Sequence, residues 1–371
     1  MSVGLQTMGV SRGGFGALLW QSFRGQAIFI LFSLSYLLAL ALTGKFFPEI
    51  GKYSATELLL GIATCSIPIV LFALVPYTFG KMALTDKPDK PLKELYKRVK
   101  AVLVNPYRIA AALPLFVSLV LFMYCFTVLK GNIAEIRPFA WDQTFDRWDV
   151  KLHFGYRPWE VLQPIFGNLP MTFLLNINYN LWFIIMNLFW VHYALIAKPG
   201  VERSRFYLSF FSTWAIGGSF AAIFFSSAGP CYFGNLGLGA DPYAPLMTYL
   251  RSVNDIVPIW AVETQNFLWA QHVKDSVYGG VTAMPSMHNA TALLFVLTTW
   301  GKASWLRWLM VGHCVLIFLG SIHLGWHYAV DGYMAWAMVI AIWLLAGVIV
   351  RWWESGKSVQ EFNAAHAAEA A

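Results

Sequence analysis

The chain has 371 residues, of which 58% are hydrophobic and only 12% charged. Soluble domains carry about 25% charged residues, so a water-surrounded globule is excluded and lipid must cover much of the surface. The net charge of +7 is spread between apolar runs rather than gathered on one face, which argues against a nucleic-acid partner.

In chain order, apolar runs of spanning or near-spanning length fall near 27–44, 58–80, 109–129, 171–197, 206–228, 287–301, 306–325 and 328–350. A span needs about 20 residues, and the sixth and seventh runs are the shortest. The first run is longer than the roughly 7–15 residues of a signal h-region, so Ala39-Leu40-Ala41 reads as part of an uncleaved helix. The fold class expected is therefore an all-α polytopic membrane protein of about eight transmembrane helices. Its parts are an N-terminal segment with two spans and a basic loop (1–107), a catalytic membrane domain (108–351) and a cytoplasmic tail (352–371) that is Ala-rich and disordered after Glu361.

Most Lys and Arg residues share one side, including Arg12, Arg24, the loop from Lys81 to Arg108, Lys198, Lys302, Arg351 and Lys357. The positive-inside rule then places both termini in the cytoplasm. Two long loops, about 130–170 and 229–284, fall on the opposite side. The first carries Asp142, Asp146 and Asp149 among aromatic residues. No His or Glu accompanies them at ligand spacing, so a solvated, hydrogen-bonded loop is expected and no metal or other cofactor. The four cysteines lie far apart without CxxC spacing and read as small buried hydrophobes. The span centres are clean of Lys, Arg, Asp and Glu, unlike those of most ion-coupled transporters.

Ionisable groups gather instead at three helix ends on the outer side. KGNIAEIRP (130–138) follows the third run, PSMH (285–288) opens the sixth, and GSIHLGWHYAVDGY (320–333) joins the seventh to the eighth. His327 and Asp331 are four apart, so on a helix the carboxylate can accept from one ring nitrogen and aim the other outward. Lys130 offers a point charge and Arg137 a planar fork for phosphate oxygens. Ser286 can cap its helix or donate to an oxygen, and the free amides there favour an anion. His288 suits a general acid, His327 a nucleophile. Asn176, Asn178 and Asn180 sit near the same face, for a headgroup or for helix–helix bonds.

KGNIAEIRP resembles the K-x6-RP first motif of the type 2 phosphatidic acid phosphatase (PAP2) superfamily. AMPSMH resembles its PSxH motif, and His327-x3-Asp331 the end of its third motif, over about residues 109–350. The resemblance implies a six-helix catalytic core preceded by two further spans, and metal-independent phosphotransfer through a phosphohistidine on His327. The third motif departs from the pattern, with Gly320 and Ser321 where the family has Ser-Arg. His323 or Tyr328 could partly replace that arginine. The span count, PSMH and the missing arginine resemble the inositol phosphorylceramide synthase branch. That implies a transferase moving a phospho-headgroup between membrane lipids, with its site on the periplasmic or lumenal face; the compact loops and the lack of an obvious retention signal suggest a bacterial inner membrane. A lipid phosphate phosphatase and a non-enzymatic transporter are the alternatives.

Overall fold

The computed structural model describes residues 14–47, 54–276 and 278–367, with the side chains of 63, 65–67 and 367 also outside it. Arg12, the Cys65 side chain and the last residues of the tail thus lie outside the described residues. Among the described residues every regular element is helical.

The N-terminal part holds α1 (Gly14–Gly25), α2 (Ala27–Phe46), α3 (Ala55–Thr85) and the basic α4 (Pro91–Leu103). Then come α5 (Pro106–Gly131), the short α6 (Ile133–Ile136), α7 (Asp142–Leu152), α8 (Pro158–Phe166) and α9 (Leu169–Val191). The next crossing is α10 (Val201–Ser212), a π-helical stretch Thr213–Ala221 and α11 (Ala222–Phe224). The second long loop carries α12 (Ala244–Asn254) and α13 (Trp260–Val273). The chain closes with α14 (Met287–Thr299), α15 (Ser304–His323), α16 (Ala329–Glu354) and α17 (Lys357–Ala367).

Helix starts follow local chemistry. Asn105 accepts from the Tyr107 and Arg108 amides at 3.0 Å each, with Pro106 at the first helical position of α5. Asn168 caps α9 through the Met171 amide at 3.1 Å, and Ser286 caps α14 through the Asn289 amide at 3.4 Å.

Among the described residues, seven helices are long and apolar enough to cross a membrane. The expected eighth, the run near 287–301, is the 13-residue α14, which rises about 20 Å against a hydrocarbon core of about 30 Å. It falls short because it is sheathed by protein: α14 packs on α15 and α16, and most of its residues are buried. Its far end reaches the start of α10, where Lys302 pairs with Glu202 at 2.6 Å.

Two further expectations change. The Ala-rich tail is helical through Ala367, and Val359, Phe362 and His366 are buried. Phe362 packs against Gly25, and Arg24 donates to Ser358 at 2.9 Å, so α17 is held by α1. The loop carrying Asp142, Asp146 and Asp149 is a helix, α7, and its carboxylates are not solvated: the three residues are 1%, 8% and 2% exposed. Each has found partners elsewhere in the chain, which spacing within the loop did not announce. Asp146 accepts from the Arg157 guanidinium at 2.7 and 3.1 Å and from the Tyr243 hydroxyl at 2.9 Å.

Candidate active site

The cavity that matters is built at the end of the bundle where α5 stops and α14 and α16 begin. It measures about 510 Å³ and its lining includes Lys130, His288 and His327. These three residues come from separate helix ends, so their meeting is a property of the packing. Aromatic walls surround them: Tyr179 and Trp182 of α9, and Trp326.

His327 sits in the turn between α15 and α16. Its amide and that of Trp326 both donate to the Ser321 carbonyl at 3.0 Å. Its Nδ1 lies 3.2 Å from Asp331 Oδ2, in the first turn of α16. The expected contact is therefore formed, although His327 precedes the helix instead of lying on it, and the residue lines the cavity. Burial pushes the His327 pKa down to about 3, opposed by the Ala283 carbonyl and reinforced by the Lys130 charge. The ring is neutral near pH 7, the form a nucleophile needs.

His288 stacks on Tyr179 and Trp182, with ring centroids 4.3 and 4.1 Å apart. Its centroid is 6.4 Å from that of His327. Both rings belong to the lining of the same cavity. Lys130 ends α5 and donates to Thr282 Oγ1 at 3.1 Å. A Cβ at Gly280 would come within 2.7 Å of the Lys130 stem, so a bare glycine lets the 280–282 strip lie along the lysine.

The other expected site residues lie elsewhere. Ser286 is fully buried, and its hydroxyl accepts from Asn289 Nδ2 at 3.0 Å while capping α14. Asn289 also donates to Ser321 at 3.1 Å, tying α14 to α15 behind the histidines. Arg137 is outside the cavity lining; its guanidinium packs over the Phe224 ring at 5.2 Å. His323 is buried beside α9, where its Nε2 meets Thr172 Oγ1 at 2.9 Å. The Tyr328 hydroxyl is taken by Asp142 at 2.9 Å. Neither His323 nor Tyr328 stands where the family arginine would be needed. Of the three asparagines, Asn180 lines the cavity, Asn176 accepts the Ala261 amide and Asn178 meets His313.

Sequence reasoning missed the aromatic box around His288 and the support from α7. Tyr179 and Trp182 are separated from His288 by about a hundred residues, and only packing joins them. Gly229, with a φ of +103° and the Trp326 carbonyl 2.8 Å from a built Cβ, brings the turn at 226–230 against the His327 turn.

A family model, PAP2 superfamily, matches residues 143–345, more than half of the chain. The chain belongs to the PAP2 superfamily. Membership implies a phosphatase or phosphotransferase acting on phosphate esters. The matched segment supplies His288, His327 and Asp331, whereas Lys130 and Arg137 precede it. No curated protein and no solved structure matches the chain. Within the PAP2 segment, Gly320 and Ser321 are buried against α9 and α14, so no arginine side chain replaces the family's at that point.

Proposed function

We propose that this PAP2 protein is a membrane-embedded phosphotransferase of the inositolphosphotransferase type. It moves a phospho-headgroup from a phospholipid to a lipid hydroxyl through a phosphohistidine. The observation that carries the reading is a pair of imidazoles, ring centroids 6.4 Å apart, in the lining of one cavity that, among the described residues, has one fixed cation, Lys130, and no arginine. A phosphate monoester carries a charge of about −1.5 to −2 at pH 7, a diester one less proton-binding oxygen and a single charge. One lysine suits the diester of a phospholipid better than the terminal phosphate of phosphatidic acid.

Two more features favour a lipid. A second, almost wholly apolar cavity of about 600 Å³ lies along α3, α5 and α9 and shares Phe183 and Trp214 with the first. A hydrocarbon chain can follow it while the headgroup stays with the histidines. On the headgroup side, Tyr179 Oη, Trp182 Nε1 and Trp326 Nε1 have no hydrogen-bond partner among the described residues, although all three residues line the cavity. Buried donors of this kind are costly unless a bound group satisfies them.

In the proposed reaction His327 Nε2 attacks phosphorus while Asp331 holds the Nδ1 proton. The bond from phosphorus to the donor lipid's oxygen breaks, and that oxygen takes a proton from His288. The acceptor hydroxyl then returns a proton to His288 and attacks phosphorus, and the phosphorus–nitrogen bond breaks. Lys130 and the N-terminal amides of α14 offset charge on the equatorial oxygens. The aromatic walls keep water from competing as acceptor. The protein is placed in a bacterial inner membrane, and the Lys and Arg distribution supports cytoplasmic termini with the cavity on the opposite, periplasmic, face.

The test uses phosphatidylinositol tritiated in its headgroup, with ceramide or diacylglycerol in mixed micelles and purified protein. Label moving to the acceptor lipid, and lost in His327→Ala, is the expected result. Release of inorganic phosphate from phosphatidic acid without any transfer overturns it.

A further inference from the structure

Two carboxylates of α7 stand behind the reacting face without touching the cavity. Asp149 Oδ2 accepts the Ala329 amide at 2.8 Å, and Oδ1 accepts the Val330 amide at 3.0 Å. These are the first two amides of α16, which have no partner within the helix itself. The residue at the N-cap, Tyr328, supplies no short acceptor, and its hydroxyl is turned to Asp142. The helix is thus capped by a residue 180 positions earlier.

Asp142 makes the companion grip. It accepts the Ala228 amide at 3.0 Å, the Gly229 amide at 2.8 Å and the Tyr328 hydroxyl at 2.9 Å. Asp142 and Asp149 are seven residues apart, about two turns, so they share one face of α7. That face holds the cavity-wall turn at Ala228, the residue after His327, and the helix end that carries Asp331.

The geometry points to Asp149, assisted by Asp142, as a positioning residue that fixes the His327–Asp331 pair against the cavity wall. The inference rests on the reading above in taking His327 as nucleophile. Reacting groups must be held within about 0.5 Å, and a 1 Å displacement can cost about 100-fold in rate. The turn at 324–328 has no helical ladder of its own, so its position is inherited from Ser321 on one side and from the α16 start on the other. Asp149 also occupies amides that would otherwise attract the substrate phosphate to the wrong helix end. Burial raises the Asp149 pKa to about 7, and Asp142 is raised too, so placing these acids here carries a stability cost that local folding does not require.

The same helix provides a control. Asp146 is buried on α7 and equally well bonded, to Arg157 and Tyr243, but makes no hydrogen bond to residues 228–229 or 327–331. Full-length Asp149→Ala, Asp149→Asn and Asp146→Ala are compared in micelles for Tm, for transfer kinetics and for hydrogen exchange of the peptide spanning 320–333. The expected result is a fall in kcat of about 100-fold in Asp149→Ala with KM unchanged. Asp149→Asn, which keeps one acceptor oxygen, falls between. Asp146→Ala lowers Tm while its kcat stays within about twofold. Exchange in the 320–333 peptide speeds up in both Asp149 variants and not in Asp146→Ala.

Equal kcat losses in the Asp149 and Asp146 variants, or unchanged exchange in Asp149→Asn, overturn the positioning role. If Asp149→Ala fails to fold, Asp149→Asn decides by the same two readouts. A wild-type protein inactive on phosphodiester donors refutes the transferase reading, while the exchange comparison still judges whether α7 holds the turn.

Discussion

Asp331 Oδ2 serves His327 and its neighbour at once: it lies 3.2 Å from His327 Nδ1 and accepts the Tyr328 amide at 3.0 Å. The carboxylate therefore orients the ring and closes the first turn of α16 with one atom. A similar oriented pair in serine proteases loses about 10⁴-fold in kcat when the acid becomes an amide.

Asp331→Asn is expected to lower kcat by about 10³–10⁴-fold, and His327→Ala to abolish transfer, with both proteins eluting as folded monodisperse species in detergent. Initial rates of lipid-to-lipid transfer decide it. Activity near wild type in both variants removes His327 from the mechanism.

Lys130 is the one fixed cation of the cavity lining among the described residues, so its charge should matter more than its length. Lys130→Met is expected to reduce kcat/KM by about 10²–10³-fold, and Lys130→Arg to retain part of the activity. A Lys130→Met enzyme with unaltered kcat/KM would show that phosphate is bound elsewhere.

The pH dependence follows from the buried ring of His327. Its pKa falls to about 3 in the folded chain against about 6.5 when unfolded. The acid limb of kcat/KM, which reports groups of the free enzyme, should not contain a step near pH 6.5. Stability has the matching sign. Above pH 6.5 the ring is neutral in both states; as pH falls from 6.5 towards 3 only the unfolded chain takes up the proton, and this contribution is lost. Rate profiles and Tm measured from pH 4 to 8 test both parts.

In the proposed reaction charge on the transferred group is offset by Lys130 and helix amides, so activity is expected to persist in EDTA at the wild-type rate. Complete loss that a divalent cation restores would require a different mechanism.

Gly229 joins two loops at a positive φ of +103°, with the Trp326 carbonyl 2.8 Å from any Cβ. Gly229→Ala should cost about 1–3 kcal/mol from backbone strain alone, seen as a lowered Tm, and should shift the turn that carries His327. An unchanged Tm would mean the turn relaxes freely.

Much of this was readable in the chain because helices carry local signals. Apolar runs, Asn and Ser caps and prolines at first turns marked most of the crossings within a few residues. The i, i+4 spacing of His327 and Asp331 is likewise local. Arg137 and His323 were drawn into the site by sequence pattern, but their side chains pack on Phe224 and Thr172. A side chain's direction at a helix end depends on which neighbour arrives there, and that is not encoded in its own segment. The α7 aspartates show the reverse error: charged residues in a loop suggest solvation, whereas the bonding partners of Asp142 and Asp149 lie 86–186 residues away.

The sequence by itself determined a helical membrane protein and the chemistry at its disposal, since composition, hydrophobic run length and helical spacing act over one segment at a time. Tertiary structure decided which of those groups share a cavity. It brought Lys130, His288 and His327 to one cavity, left Arg137 and His323 out of its lining, buried the 13-residue α14 among other helices, and bonded Asp142 and Asp149 to the backbone at 228–229 and 329–330. The reason is physical: in lipid and in a dry protein interior every polar group must find a partner. The partner is set by packing, not by distance along the chain.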